Sequence, residues 1–226
     1  MGRLAVILGS NALGPGGGEI VAAAAEHGAA VVQRHGAADA YVLPHEIDHA
    51  ANLRPLVEQG CDRVLAIASV GSLRTDLPVG RFVCPDDFIA LQVLSIFADT
   101  RAHTAPGFAA RWRAEVVAAW GAEDGETAVD GGVYWQTIGP RFETAAEIRM
   151  IAPHADLVGM TIASECVIAG ELGLEYAAIC VVDNLANGLA EGELSVEEME
   201  ADRLINATRL RDGLAAVLPR LGAVGR

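Results

Sequence analysis

The chain is 226 residues long and carries 16 cationic and 30 acidic side chains, a formal net charge of -14. Every cation is an arginine; there is no lysine. That excludes a P-loop lysine, a lysine Schiff base and a lysine general base, and leaves any bound anion to arginine, histidine, hydroxyls and backbone N–H groups. The acidic balance also argues against a nucleic-acid or membrane surface, both of which call for basic patches.

The length suits one domain, residues 1–226, large enough to bury a sizeable core. Hydrophobic residues make up 52% of the chain but aromatics only 5%, so the core is built from Ala, Val, Leu and Ile, as suits a parallel sheet covered by helices. In chain order, an apolar strand over 3–8 feeds a glycine-rich turn, and an Ala-rich helix follows over 20–28. A short strand at 30–33 ends in Arg34-His35-Gly36, and a helix over 47–59 ends at Gly60. A strand over 63–69 closes on Val70-Gly71-Ser72, and a strand-like run at 81–83 leads to Pro85. A loop over 98–107 precedes a helix over 108–120 and a strand over 132–138. A helix is expected over 145–151, and residues 157–161 are expected to open the next helix, to Leu172. The last buried strand covers 175–182, and an amphipathic helix runs from Ser195, a plausible N-cap, to about Leu218. Alternating strands and helices without linker or repeat describe a single α/β domain with a mixed, mostly parallel sheet.

In such sheets ligands bind outside the carboxyl ends of the strands. Here those ends carry Gly9-Ser10, Arg34-His35, Ser69-Val70-Gly71 and Asp183-Asn184. Ser10 offers a hydroxyl on a turn of converging N–H groups, without the G-x-G-x-x-G spacing of a dinucleotide site. Arg34 can pair bidentately with an oxyanion. Glu143 opens a helix, Phe142 beside it can stack on a flat ring, and Asp183-Asn184 is a polar pair ending an apolar run; each also has an ordinary structural reading as helix-start acid, core aromatic or turn. His45-Glu46-Ile47-Asp48-His49 formally matches the zinc motif H-E-x-x-H, but Pro44 precedes it and no third ligand is apparent, so no metal is expected. The cysteines Cys61, Cys84, Cys166 and Cys180 show no C-x-x-C spacing and read as buried thiols of a reducing compartment. With no signal peptide visible and no apolar run long enough to span a bilayer, a cytoplasmic protein is expected.

Taken together, LGSNALG at 8–14, RHG at 34–36, PHEIDHAANL at 44–53, VGSLR at 70–74, GPRFETAAEI at 139–148, DLVGMT at 156–161 and VVDNLANG at 181–188 resemble the trimeric purine nucleoside phosphorylase and methylthioadenosine phosphorylase family over nearly the whole chain. The resemblance implies a partly barrel-like central sheet flanked by helices, a homotrimer, and reversible cleavage of a purine nucleoside by phosphate, with no metal or organic cofactor. It places phosphate on Ser10, Arg34, His35, Ser69 and Thr161. It places the sugar near Met160, Tyr41, Asp39, His103, Val196 and Met199, and the base near Phe142, Glu143, Asn184 and Gly159. Glu143 and Asn184, with Asp183, would act on the departing base. A glutamate accepting from N1–H and an asparagine donating to N7 or O6 suit a 6-oxopurine, such as that of inosine or guanosine.

Two departures bear on the chemistry. Relatives carry G-R-x-H after the RHG-like end, whereas this chain reads Gly36-Ala37-Ala38-Asp39, putting a carboxylate where a histidine near phosphate is expected. Asp183 beside Asn184 resembles the acid of hydrolytic nucleosidases, so a nucleosidase using Asp183, or a non-catalytic nucleoside-binding relative, stands as an alternative. The apolar start of the terminal helix, Leu194, Val196 and Met199, would favour a 5′-methylthio over a 5′-hydroxyl group by about 1–3 kcal/mol per methylene-sized contact. S-methyl-5′-thioinosine therefore joins the candidate substrates.

Overall fold

Two long strands carry the architecture. β3 (Cys61–Ser72) and β9 (Glu175–Leu185) run parallel, and most residues of both are buried, as expected of an apolar run covered on both faces. The computed structural model of the chain describes residues 2–10, 17–120, 127–189 and 196–223, with the backbone alone at 38, 196–204 and 223. β1 (Arg3–Leu8) lies parallel to β3 on its other side, and β2 (Ala30–Gln33) lies parallel to β1. Beyond β9 come β4 (Phe82–Cys84), antiparallel to it, and β6 (Val129–Asp130). The opposite edge is formed by β8 (Leu157–Gly159), β7 (Val133–Gln136) and β5 (Asp87–Ile89). Of the strand pairings among the described residues, only β3–β8 and β4–β9 are antiparallel, so the sheet is mixed and mostly parallel.

The period-two alternation along β1 sorts its side chains onto two cores. Ala5 and Ile7 join Ala66, Ala68, Val70 and Val182 under α2 (His49–Glu58) and α5 (Ile162–Glu171). Leu4, Val6 and Leu8 join Leu65, Ile67, Val181 and Trp112 under α1 (Gly17–Glu26), α3 (Ala110–Trp120) and α6 (Val196–Ala223). α4 (Ala145–Ile151) closes a smaller cluster with Leu73, Val158 and Ala186. Its start is fixed by a capping box: Thr144 accepts from Glu147 N while Glu147 accepts from Thr144 N.

The expected strand and helix order is found, with three differences. Residues 157–159 are a strand, not a helix start. Three residues carry no readable period, and only pairing with β7 and β3 together makes them β. β5, of three residues, and β6, of two, are likewise strands that the sequence pattern does not mark. The formal zinc motif is broken: His45 sits in a 3-10 turn (Pro44–Glu46), Asp48 caps α2 through Ala51 N at 2.9 Å, and His49 begins that helix. The two histidines therefore lack the shared helical face the motif needs. The N-cap expected at Ser195 lies outside the described residues. The cysteines are free and buried, as expected.

Candidate active site

β1 and β8 both border β3, one on each half, and they run in opposite directions. β1 pairs up to Ile7 opposite Ala66, whereas β8 begins at Leu157 opposite Ser72 and runs back along β3. Their carboxyl ends therefore point at each other across the middle of β3, where Ser69 lies. The residues that follow these ends are Gly9-Ser10 on one side and Met160-Thr161 on the other. Thr161 is also the N-cap of α5, so the positive end of that helix's dipole arrives at the same place. Its own hydroxyl makes no capping bond.

Arg34 enters from the end of β2, its N–H bonded to Leu8 O at 2.9 Å. Its guanidinium is buried and held on three sides: Nε to Glu165 Oε1 at 2.5 Å, Nη2 to Glu165 Oε2 at 2.8 Å, and Nη1 to Ile67 O at 2.9 Å. Tyr176 donates to Glu165 Oε2 at 2.7 Å. Burial by itself raises the Glu165 pKa, but the Arg34 guanidinium outweighs it and holds the carboxyl well below the usual range. Nothing larger than hydrogen fits at Gly9, where a Cβ would stand 2.7 Å from Arg34 Nη1 and 2.9 Å from Ile67 O. The fork expected for an anion is thus closed on Glu165, and the Arg34–Glu165 pair is neutral as a unit. Behind it, His49 Nδ1 lies 3.7 Å from Glu165 Oε1 and has no hydrogen-bond partner among the described residues.

His35, next in the chain, is buried and holds Val42 O through Nδ1 at 2.9 Å. Desolvation lowers its pKa, so the neutral ring is favoured and Nδ1 carries the hydrogen. Tyr41 stacks on it, with ring centroids 4.8 Å apart, leaving its outer part exposed.

The β3–β9 ladder contains a bulge at the decisive point. Val70 pairs with Val182 but Gly71 pairs with Asn184, so Asp183 is an extra residue. The bulge separates the polar pair. Asp183 is buried, hydrogen-bonded to Ser69 Oγ and, at 2.8 Å, to Asn206 Nδ2 from α6. Asn184 is half-buried, its amide donating to Leu185 O at 2.9 Å.

On the β7–β8 side, Thr137 N donates to Gly159 O at 2.9 Å and Thr137 Oγ1 donates to Glu143 Oε1 at 2.7 Å, fixing the carboxylate. Asn187 donates to Glu143 O at 3.2 Å, tying this turn to the segment after β9. The Met160 side chain packs on Gly139, and Gly159 lies against the Tyr134 ring with no room for a side chain. Tyr134 Oη accepts from Thr161 N at 3.2 Å, and Gln136 Oε1 accepts from Ser164 N at 3.1 Å, so side chains from β7 take up part of the α5 N-terminus.

Ser10, Arg34, Ser69 and Thr161 are thus gathered at one place, and Glu143, Gly159, Met160 and Asn184 line the adjoining strand ends. Phe142 is 58% exposed. Asp39 is exposed on a 3-10 turn (Ala38–Ala40) and makes no ion pair among the described residues. His103 is exposed beyond a 3-10 turn (Thr100–Ala102) and has no side-chain partner among the described residues. The side chains of Val196 and Met199 lie outside the described residues, as does Leu194 altogether. Glu165, Thr137, Tyr134 and Asn206 escaped the sequence reading. Glu165, Tyr134 and Asn206 lie inside regular elements, where their polarity carried no signal of a partner far away in the chain, whereas Thr137 follows β7 and pairs only six residues on.

The fold and this cluster define an α/β protein with hydroxyls and one buried guanidinium gathered at opposed strand ends. Residues 8–219 match the family model of the phosphorylase superfamily. The chain is 40% identical over 171 residues to a probable 6-oxopurine nucleoside phosphorylase of Archaeoglobus fulgidus, covering 75% of this chain and 70% of that one. To a protein of the same description from Moorella thermoacetica it is 34% identical over 248 aligned residues, covering 96% and 92%. To a probable S-methyl-5′-thioinosine phosphorylase of Methanosarcina acetivorans it is 36% identical over 178, covering 75% and 66%. Methylthioadenosine phosphorylase of Schistosoma mansoni, solved with adenine, shares the fold at a TM-score of 0.78 and 20% identity, covering 100% of this chain and 92% of that one. The chain belongs to the phosphorylase superfamily, beside its 6-oxopurine nucleoside phosphorylases and S-methyl-5′-thioinosine phosphorylases.

Proposed function

We propose that this protein is a pentosyltransferase that cleaves the N-glycosidic bond of a 6-oxopurine nucleoside with phosphate. The substrate is inosine, guanosine or S-methyl-5′-thioinosine, and the products are the free base and ribose 1-phosphate or its 5-methylthio analogue. The observation that carries this reading is the head-on meeting of β1 and β8 over Ser69, which supplies hydroxyls from Ser10, Ser69 and Thr161 and the start of α5 at one point. With the Arg34 fork closed on Glu165, the anion rests on these groups and on the N–H hydrogens that Arg34 has left. No further cofactor enters the reaction.

The C1′–N9 bond breaks with its electron pair on the purine, and a phosphate oxygen bonds to C1′. The sugar between them is oxocarbenium-like, so the adjacent phosphate stabilises it electrostatically and no covalent enzyme intermediate is needed. Met160 packs beside the sugar. Glu143, held by Thr137, accepts from N1–H, and Asn184 donates toward N7 or O6 as negative charge moves onto the ring. Leu91 and Leu94, 82% and 81% exposed after β5, support assembly into a homotrimer.

A hydrolytic reading is favoured by one observation, the buried Asp183 carboxyl beside Ser69, which could serve as an acid to the leaving base. Incubation with inosine, guanosine, methylthioinosine and methylthioadenosine, with and without phosphate, separates the two. Phosphorolysis requires phosphate for base release; release at the same rate without it would establish the hydrolase.

A further inference from the structure

An N-cap threonine ordinarily spends its hydroxyl on its own helix, accepting from the N–H two or three residues on. Thr161 does not. Its side chain makes no capping bond, and its ψ is -32° rather than the extended value usual for a cap. The first-turn N–H groups are taken from outside the helix instead. Tyr134 Oη accepts from Thr161 N at 3.2 Å and from Ile162 N at 3.4 Å. Gln136, two residues further along the same face of β7, accepts from Ser164 N at 3.1 Å through Oε1 and donates to Ser164 Oγ at 2.6 Å through Nε2. The amide has one workable orientation, because a backbone N–H can only donate. Ser164 N–H is the group three residues on from Thr161, the donor that a threonine cap would otherwise take. The Thr161 hydroxyl is left with no hydrogen-bond partner among the described residues. Nor is it sealed off: the one partnerless side-chain N or O shut away in the interior among the described residues is His49 Nδ1.

We propose that Gln136 is a positioning residue for the anion site: it caps α5 in place of Thr161 and so keeps the Thr161 hydroxyl free to donate to phosphate. The inference rests on the phosphorolytic reading above and adds to it a residue that need not touch the substrate. Sheet register makes the arrangement possible. Gln136 pairs with Gly159 of β8, two residues before Thr161, so this β7 side chain stands alongside the start of α5. Of the N–H groups from Thr161 to Ser164, only that of Ala163 has no acceptor among the described residues, so a hydroxyl and one N–H remain there for an oxyanion. Without the Gln136 amide the Ser164 N–H is an orphan, and Thr161 is the residue placed to satisfy it. Taking that role swings ψ of Thr161 toward the extended value and draws its hydroxyl over Ser164 N, away from its present position. Undoing such a cap to bind phosphate costs about fivefold in affinity.

The test is a double-mutant cycle on phosphate affinity, read by calorimetry on the whole protein without nucleoside, with urea unfolding to show that each variant folds. Gln136→Met keeps the length and removes the acceptor, and phosphate should bind about fivefold more weakly. In Thr161→Val, which has no hydroxyl to misplace, adding Gln136→Met should change phosphate affinity by less than about twofold. Ser164→Ala keeps the N–H and its Gln136 acceptor, and should hold phosphate affinity within about twofold of the parent. That variant decides the matter even where Gln136→Met does not fold: a loss of about fivefold with the cap intact would show that the pair acts by packing. Unchanged or tighter phosphate binding in Gln136→Met, an equal loss in both backgrounds, or no phosphate binding by the unaltered protein also overturns the inference. Base release from inosine without phosphate overturns the phosphorolytic reading instead, while the binding cycle still decides the role of Gln136.

Discussion

Arg34 and Glu165 stand 131 residues apart in the chain and meet in the interior as a two-pronged ion pair, at 2.5 and 2.8 Å. Through them the end of β2 is locked to the first turn of α5, and the strand end behind Ser10 is locked to the helix start that carries Thr161. Both groups are out of water, so removing either leaves the other charge uncompensated. Glu165→Gln should destabilise the protein by about 3–5 kcal/mol. Urea unfolding of the two proteins at neutral pH measures it, and a change below about 1 kcal/mol would contradict a buried ionic lock.

The same carboxylate sets an acid limit. Its folded-state pKa is depressed below the unfolded value of about 4.3, so the folded protein releases this proton more readily than the unfolded chain does. The stabilisation is therefore complete above that value and is lost as pH falls below it toward the folded pKa. Unfolding free energy measured downward from neutral pH should decline below about pH 4, and the decline should be shallower in Glu165→Gln.

Base selection should depend on Thr137, which never needs to touch the base. Replacing it with Val keeps the shape and deletes the hydroxyl that donates to Glu143 Oε1 at 2.7 Å. A lost hydrogen bond to a charged group, worth about 1.5–3 kcal/mol, corresponds to a fall of roughly tenfold or more in kcat/KM for inosine. Steady-state kinetics with inosine and adenosine side by side check this: a loss shared equally by both nucleosides would argue against a role in reading the 6-oxopurine.

Gly9 should not accept a methyl group. A Cβ there would meet Arg34 Nη1 at 2.7 Å and the Ile67 carbonyl at 2.9 Å, and neither yields cheaply, because the guanidinium is pinned and the carbonyl belongs to β3. Gly9→Ala should cost about 1–3 kcal/mol of stability, visible as a lowered urea midpoint at unchanged slope, and should weaken phosphate more than nucleoside.

The cysteines should be unreactive in the folded protein. Burial pushes Cys84 up to about 11 and Cys166 up to about 12, and raises Cys61 and Cys180 as well. A chromogenic disulfide reagent near neutral pH should react slowly with the native chain and rapidly with all 4 thiols in denaturant. Fast native labelling would place a thiol at the surface.

Much of the molecule could be read from the sequence because its signals are local. The buried runs of β1, β3 and β9 and the polar residues at strand ends announce themselves within a few positions. Local signal was enough to mark Ser10, Arg34 and Ser69 at strand ends, and the family resemblance added Thr161 to them as one expected site. It was not enough for β8, whose three residues become a strand only by pairing on both edges. Nor could it separate Asp183 from Asn184, because the bulge that buries one and leaves the other half-open is a property of the β3–β9 register.

What the sequence determined by itself was the chemistry available: an acidic, lysine-free chain that must hold an anion with hydroxyls, N–H groups and arginine. What the tertiary structure decided was how that chemistry is spent. It turned the Arg34 fork inward onto Glu165, and it bonded Ser69 to an aspartate held by a residue of the last helix. Both outcomes depend on which donor meets which acceptor across more than a hundred residues of chain, and a hydrogen bond has no signature in sequence until folding supplies its second partner.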